Sequence, residues 1–320
     1  MNAHILRSED VNPYRNLARE EALLLSIDET CDCAVFFLWQ NANTVVIGRN
    51  QNAWFECDIS RLEEDGIFLA RRTTGGGAVY HDLGNLNFSF LLPRGEYDLR
   101  RQLSVIQTAV QSFGIQCAFS GRNDLVVSDK KFSGNAFRFT KFGALHHGTI
   151  MIGVSPALSR YLRVSSEKLA ARGVKSVASR VVNLNTLADV TVDVMVSALS
   201  DAFRAEYGGD VAGGMIPIIN DKELPDFQGL AERNALWSWN YGATPAFDAK
   251  FENRFDWGSV RLLLTLDKGH IVKCAVHTDA MDVDFASNVE GALVGCAFRA
   301  EAMAERLSGD VAEWVRELKI

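Results

Sequence analysis

The alternation of apolar and polar residues divides the chain into elements before any motif is considered. Residues 12–28, "NPYRNLAREEALLLSID", open with Asn12 as an N-cap and Pro13 at the first helical position, and Leu17, Leu24 and Leu25 recur at helical spacing. "VFFLWQNANTVVIGRNQN" reads as two strands joined by a polar turn at Gln40–Asn43. "GIFLARR" predicts a short strand entering three glycines, and "VYHDLGNLNFSFLL" continues beyond them as extended chain. In 98–114, Leu99, Leu103, Ile106, Val110 and Phe113 share one helical face, and Gly114 stops the helix. Strands follow at 124–127, around 132–139 and at 145–154, then a helix capped by Thr191 that runs through Met195, Leu199 and Phe203. "VRLLLTLDKGHIVKCAVHT" predicts a β-hairpin with a glycine in its turn, and helical sequence occupies 288 to the end. Gly242 and Pro245 mark a linker, so the pattern predicts a large mixed α/β domain over 1–247 and a small α+β domain over 248–320.

Composition narrows the class. With 320 residues, 48% apolar and 23% charged, the chain reads as a soluble globular enzyme large enough to bury a sizeable core. "MNAHILRSED" lacks a basic start followed by an apolar segment, and the longest apolar run, "AVFFLW", is far too short to span a bilayer, so neither export nor membrane insertion is expected. The six cysteines form no CxxC pair, which fits reduced thiols in the cytoplasm better than a disulfide framework or a zinc site. The net charge of −7 argues against broad nucleic-acid binding. It is unevenly spread: 122–180 carries 11 Lys and Arg against 3 Asp and Glu, a local balance of +8 that leaves −15 for the rest. Such an island is either a site that focuses an anionic ligand or a solvated basic face.

The stretch "ARRTTGGGAVYHDLGNLNFSFLL" carries the chemistry that could decide between them. A P-loop requires GK[ST] and a helix after its glycines, whereas Ala78-Val79-Tyr80 follow here in extended chain. The GxGxxG dinucleotide fingerprint is absent too. A phosphate held by this loop would meet backbone N–H groups between strands, approached closely where a Cβ would intrude, with Arg72 as a fork of donors beside it. A plain turn is the alternative.

"GRNDLVVSDKKFSGNAFR" places Lys130 and Lys131 just before a Ser-Gly-Asn turn, and strand alternation turns one of the two inward. An inward lysine is expensive unless an anion meets it. Asp124 is either a turn carboxylate or a ligand for a divalent ion that travels with a nucleotide. His146 and His147 are adjacent on a strand and point to opposite faces, a poor metal pair; one is expected in the core and the other at the cleft. Phe37, Trp39 and Val46 read either as core or as the lining of an apolar channel.

Taken with "HHGTIMIGV", "SEKLAARGVKSVASRVVNL" and "WSWNYGATPAF", these stretches resemble the lipoate–protein ligase family over the whole chain, in the bacterial form with a C-terminal accessory domain. The resemblance implies a mixed sheet flanked by helices, the catalytic fold shared with biotin–protein ligases. It also implies a two-step reaction. ATP, with Mg2+, and lipoate give lipoyl-adenylate and pyrophosphate, and a lysine of an acceptor lipoyl domain then takes the acyl group. The implied acceptors are lipoyl domains of 2-oxoacid dehydrogenase acyltransferase subunits and the glycine cleavage H protein. The central catalytic lysine falls on Lys131. Adenylate contacts fall on Arg72, Gly75, Gly76, Gly77, Ala78, Val79, Tyr80, Asn123, Asp124, Ser133 and Gly134, with Asp124 as the Mg2+ ligand. Lipoate contacts fall on His81, Asn85, His147 and Gly148, and a closing loop on Lys168, Val177, Arg180 and Val182. Because lipoate's own carboxylate is the nucleophile, no cysteine is required for activation. Rival readings are an ATP-independent octanoyl or lipoyl acyltransferase of the same superfamily, a biotin–protein ligase, and a catalytically silent lipoyl-domain-binding protein.

Overall fold

The computed structural model describes residues 2–120, 124–156, 158–162, 181–208, 216–278, 280 and 284–320. Asn123, Lys168, Val177 and Arg180 lie outside them. The described chain divides into two compact units that are not contiguous in sequence. The first takes residues from Met1–Gly48, Ala70–Ala157 and Val177–Ala235, and the second from Arg49–Leu69, Leu158–Ser176 and Leu236–Ile320.

In chain order the strands of the large sheet are β1 (Asn2–Arg7), β2 (Cys33–Trp39), β6 (Asn85–Pro93), β7 (Ala118–Ser120), β8 (Asp124–Val127), β9 (Lys130–Phe139) and β10 (Gly143–Met151). Their spatial order is β1-β2-β6-β10-β9-β8-β7. β1 runs parallel to β2 and the other pairs are antiparallel, so the sheet is mixed. A smaller sheet holds β3 (Thr44–Ile47) between β4 (Phe68–Arg71) and β5 (Val79–His81).

Helices cover both faces of the large sheet because its strands are apolar on both. On one side α2 (Leu99–Gln111) and α3 (Val192–Tyr207) pack Leu103, Ile106, Val110, Met195, Leu199 and Phe203 against Phe36, Phe88 and Phe90. Phe36 stacks on Phe203 with centroids 5.0 Å apart, and each such buried ring contributes about 1.5–3 kcal/mol. On the other side α1 (Pro13–Leu25) lays Leu17, Leu23 and Leu24 on Phe37, Trp39, Leu91 and Leu145, with Val46 and Ala70 of the small sheet in the same cluster. Phe37, Trp39 and Val46 are therefore core residues. α4 (Phe227–Ala235) closes over Ala18 and Ala22 of α1.

The predicted caps hold. Asn12 accepts from Tyr14 N at 2.9 Å, and Thr191 from Val194 N at 3.3 Å. Such caps contribute about 1 kcal/mol each. Three differences from the sequence pattern matter. The extended run after the glycines breaks at Asp82–Gly84, where Asp82 Oδ1 accepts from Gly84 N at 2.9 Å, so β5 joins the small sheet and β6 the large one. β1 and a strand at Phe247–Phe255 carry too few apolar residues to stand out. The C-terminal helical region is three helices, interrupted by positive φ at Gly295 (80°) and Gly309 (60°).

The second unit contains the antiparallel sheet β11 (Phe247–Phe255), β12 (Gly258–Asp267) and β13 (His270–Thr278), with α5 (Phe285–Leu293) against β13. The β12–β13 turn has positive φ at both Lys268 (51°) and Gly269 (73°), the geometry that matches strand twist in tight hairpins. Trp54 is buried among Trp237, Tyr241, Phe247 and Phe298, with centroids 5.3–6.3 Å away. No helix among the described residues is long and apolar enough to cross a membrane.

Candidate active site

The three glycines sit between β4 and β5 on a loop whose shape Arg72 sets. The buried guanidinium donates from Nε to Thr74 Oγ1 at 3.0 Å, and from Nη2 to the carbonyls of Gly75 at 2.7 Å and Gly77 at 2.8 Å. Nη1 donates to the Val46 carbonyl at 3.1 Å. The fork that suits phosphate is thus spent on the loop's own backbone. Burial draws the Arg72 pKa down to about 10 while the Glu20 carboxylate opposes that shift, so a fixed cation remains behind the loop at neutral pH. Two glycines are dictated by geometry. Gly76 has φ 94°, and a Cβ on Gly48 would lie 2.2 Å from the Gly76 carbonyl oxygen. Gly75 has no atom within 4 Å of where a Cβ would stand. Ala78, Val79 and Tyr80 lead from the loop into β5, with Tyr80 buried.

A buried polar chain ties this loop to the sheet. Thr74 Oγ1 is 2.9 Å from His147 Nε2, His147 Nδ1 is 2.8 Å from Glu20 Oε1 on α1, and Ser89 Oγ donates to the same Glu20 oxygen at 2.5 Å. Trp39 Nε1 donates to Ser89 Oγ at 3.1 Å. Nothing in the sequence pattern pointed to Glu20, whose partner lies 127 residues away. Its neighbours on α1 are paired as well: Arg19 with Asp10 and Asp221, and Glu21 with Arg138 and Arg233. Pairing is what lets this charged run sit in the interior.

Strand register brings the remaining candidates together. Trp39 pairs with Asn87, Asn87 with Thr149, and Asp124 with Gly134, whose N donates to Thr149 Oγ1 at 3.2 Å. Residues opposite one another share a face, so Asn87, Thr149, Gly134 and Asp124 form one strip across four strands. Asn85, two residues before Asn87, donates from Nδ2 to Asn87 Oδ1 at 2.9 Å. Asn85 Oδ1 and Asn87 Nδ2 are buried without a partner among the described residues. His147 lies on the same face as this strip, paired in register with Ser89.

A bulge at Leu125/Val126 adds Lys131 to the strip. Its ammonium lies 2.8 Å from Asp124 Oδ1, and its chain folds over Gly134, where a Cβ would come within 2.7 Å of Nζ. Lys130 faces solvent, so Lys131 is the inward member of the pair. The Lys131 carbonyl accepts from Val182 N at 2.9 Å, which pins the end of the expected closing segment beside it.

His81 is buried next to Trp39, and burial, then Arg72 and His147, pushes its pKa down to about 3. Asn41 uses Oδ1 to accept from Asn16 at 3.1 Å and turns its Nδ2 to His81 Nδ1 at 3.1 Å. The proton of the neutral ring therefore sits on Nε2, which has no partner among the described residues. His146, on the opposite face, is the core histidine between Gln102 and Asn135. Two expected contact residues lie in the packed interior, and the buried Ser133 Oγ has no partner among the described residues. Ser133 is fully buried on the face opposite Gly134, and Gly148 leaves room for the Phe88 ring, 2.5 Å from where its Cβ would stand.

The site is thus a strip of amide, imidazole and hydroxyl groups ending at a lysine, with a glycine loop moored to it and a buried cation behind. Such a surface can hold two anions side by side without a protein nucleophile.

Two family descriptions match the chain: "Lipoyl protein ligase A/B catalytic domain" over residues 12–204 and "Bacterial lipoate protein ligase C-terminus" over 244–317. Among solved structures, LipL1 of P. falciparum in complex with lipoate is 28% identical with a TM-score of 0.68, covering 99% of this chain and 98% of that one. A bi-partite lipoate protein ligase from Thermoplasma acidophilum, described with its E2 lipoyl domain, is 27% identical with a TM-score of 0.64, covering 76% of this chain and 97% of that one. A lipoate–protein ligase A bound with ATP is 27% identical with a TM-score of 0.64, covering 76% of this chain and all of that one.

Proposed function

This chain belongs to the lipoyl protein ligase A/B family and is a lipoate–protein ligase with the bacterial C-terminal domain, and from that premise we propose that it runs on ATP through a lipoyl-adenylate. Lipoate and ATP would condense to lipoyl-AMP with release of pyrophosphate, and the amine of an acceptor lysine would then displace AMP to form the amide. The observation that carries this reading is Lys131, brought by the bulge to the end of the polar strip.

In the first step the lipoate carboxylate approaches the α-phosphate, so two anions must be held at attack distance. Lys131 can lie between them. It must first leave Asp124, and because its side chain is about a quarter exposed that ion pair contributes no more than about 1 kcal/mol. The exchange is therefore cheap. Backbone N–H groups of Gly75, Gly76 and Gly77 would meet the phosphates, with Arg72 holding the loop and supplying field rather than direct bonds. His81 Nε2–H and the Asn85–Asn87 amides supply buried donors and acceptors along the strip for the substrate's polar end. Mg2+, arriving on the nucleotide, fits Asp124, since such an ion takes one or two carboxylates and leaves its other positions to phosphate and water. For the segment carrying Lys168, Val177 and Arg180 that ends at Val182, we propose closure over the adenylate.

Acceptor lipoyl domains of 2-oxoacid dehydrogenases and the glycine cleavage H protein, met in the cytoplasm, complete the proposal. The Thermoplasma ligase, described with its E2 lipoyl domain, supports that class of acceptor.

The test is lipoate-dependent exchange of labelled pyrophosphate into ATP. Lys131→Met should lower exchange by ~10²–10⁴, the loss expected on removing a cation between two reacting anions. Near-normal exchange in the folded variant overturns the role of Lys131. Lipoyl transfer without ATP and without exchange overturns the adenylate.

A further inference from the structure

Cys31 and Cys33 form no CxxC pair, yet their Sγ atoms are 3.0 Å apart. That is well inside the van der Waals contact of two unbonded sulfurs. Local structure makes the approach. After α1, Asp28 Oδ1 accepts from Thr30 N at 2.8 Å and from Thr30 Oγ1 at 2.7 Å, which fixes the turn. Cys31 N then donates to the Asp28 carbonyl at 3.4 Å, and the chain enters β2 at Cys33. Residues two apart in extended chain point the same way, so both thiols emerge on one side. Both are half-buried, reachable by a small reagent.

We propose that Cys31 and Cys33 are a redox-active dithiol, oxidised by small disulfides to an intrachain disulfide. One sulfur, as thiolate, attacks a sulfur of the reagent disulfide and forms a mixed disulfide, expelling the first reagent thiolate. The second protein sulfur then attacks its neighbour and expels the other. Two protein S–H bonds and one reagent S–S bond are lost; one protein S–S bond and two reagent thiols form. Burial, then the adjacent Cys31 thiol, pushes the Cys33 pKa up, and at 3.0 Å either sulfur can resolve the adduct formed on the other. Closure needs the sulfurs to approach by only about 1 Å. Proximity of this kind replaces a second bimolecular encounter with an intramolecular one. The small ring closes little chain, so a dithiol such as dihydrolipoate should reopen it.

The experiment uses the whole chain and oxidised glutathione. After incubation, free thiols are capped with a maleimide and tryptic peptide 20–49, which holds both cysteines, is weighed. The expected result is a peptide lacking two hydrogens and carrying neither maleimide nor glutathione, with the other four cysteines capped. Dithiothreitol or dihydrolipoate should restore two capping sites. In Cys33→Ser the resolving step is removed, so a stable glutathione adduct should persist on Cys31. Peptide 20–49 capped at both sites, or a lasting glutathione adduct in the unmutated chain, overturns the dithiol. An unmodified Cys31 in Cys33→Ser overturns the mixed-disulfide step at Cys31.

Discussion

At the scale of single residues, His81 and His146 share a fate and its main cause. Both are buried and drawn down from the ordinary 6.5 to about 3, chiefly by burial. His146 Nδ1 lies 2.8 Å from Gln102 Oε1, and its Nε2 lies 2.9 Å from Asn135 Oδ1. A neutral imidazole has one N–H to give. The buried Gln102 Nε2 has no partner among the described residues, and turning that amide over supplies Nδ1 with a donor and satisfies both groups. The neutral ring then fits without a buried charge. The sign of the linkage follows. Above the unfolded pKa both states are neutral, and between 6.5 and 3 only the unfolded chain takes up the proton. Stability is therefore fully present above about pH 6.5 and falls with acidification, by at most about 1.4 kcal/mol per pH unit for each histidine. His146→Gln should flatten that slope by up to one histidine's share. Urea midpoints across the range from about pH 7 to about pH 5 measure it, and an unchanged slope would mean that His146 is protonated in the folded state.

At the scale of elements, three helices of the first unit were legible because each carries an apolar stripe with a cap or a stop, whereas Phe227–Ala235 was not. Asn12–Pro13 and Thr191 sit where the chain pattern put them, and Asp98 caps the helix between them. β1 was not legible, since a short parallel edge strand is defined by its distant partner β2. The candidate site was legible from the pattern in Arg72, the glycines, Asp124, Lys131 and the histidine pair, and the resemblance added the other expected contacts. The strip from Asn85 to Asp124 depends on register across β6, β10, β9 and β8, and the Glu20–His147–Thr74 chain joins three separate elements. Neither can be read from residues taken one segment at a time. The loop itself permits a test that separates shape from contact. Gly48→Ala forces a methyl into the Gly76 carbonyl, so stability should fall by about 1–3 kcal/mol and the loop should shift. Gly75→Ala meets nothing and should leave stability within about 0.5 kcal/mol. If nucleotide approaches the backbone there, Gly75→Ala should still raise the KM for ATP. Thermal unfolding and pyrophosphate exchange on both variants provide the comparison; an unchanged KM in Gly75→Ala removes that residue from the nucleotide contact.

At the scale of the molecule, the linear order of the chain conceals that Arg49–Leu69 clusters with Leu236–Ile320. A break placed near 247 by Gly242 and Pro245 separates segments in sequence, whereas packing gathers them around Trp54. That ring is buried against Phe247 at 5.5 Å and Phe298 at 5.3 Å, besides Trp237 and Tyr241. Phe247 in turn opens β11, which pairs along β12 from Leu266 to Gly258. A chain ending at 247 would keep Trp54 but lose Phe298 and the strand that holds Phe247. Losing one large aromatic partner from a core costs about 3–5 kcal/mol, which exceeds what a small remnant of the unit can supply. The truncated chain should therefore expose residues 49–69 while its first unit, with its own apolar clusters, stays folded. Limited trypsin digestion reads this directly, as early cleavage after Arg61, which lies in the helix Ile59–Glu64 of the intact unit. Adding residues 248–320 as a separate chain should restore protection. Protection of Arg61 in the truncated chain alone, equal to that in the full one, would mean that the 49–69 segment is held by something other than the C-terminal residues.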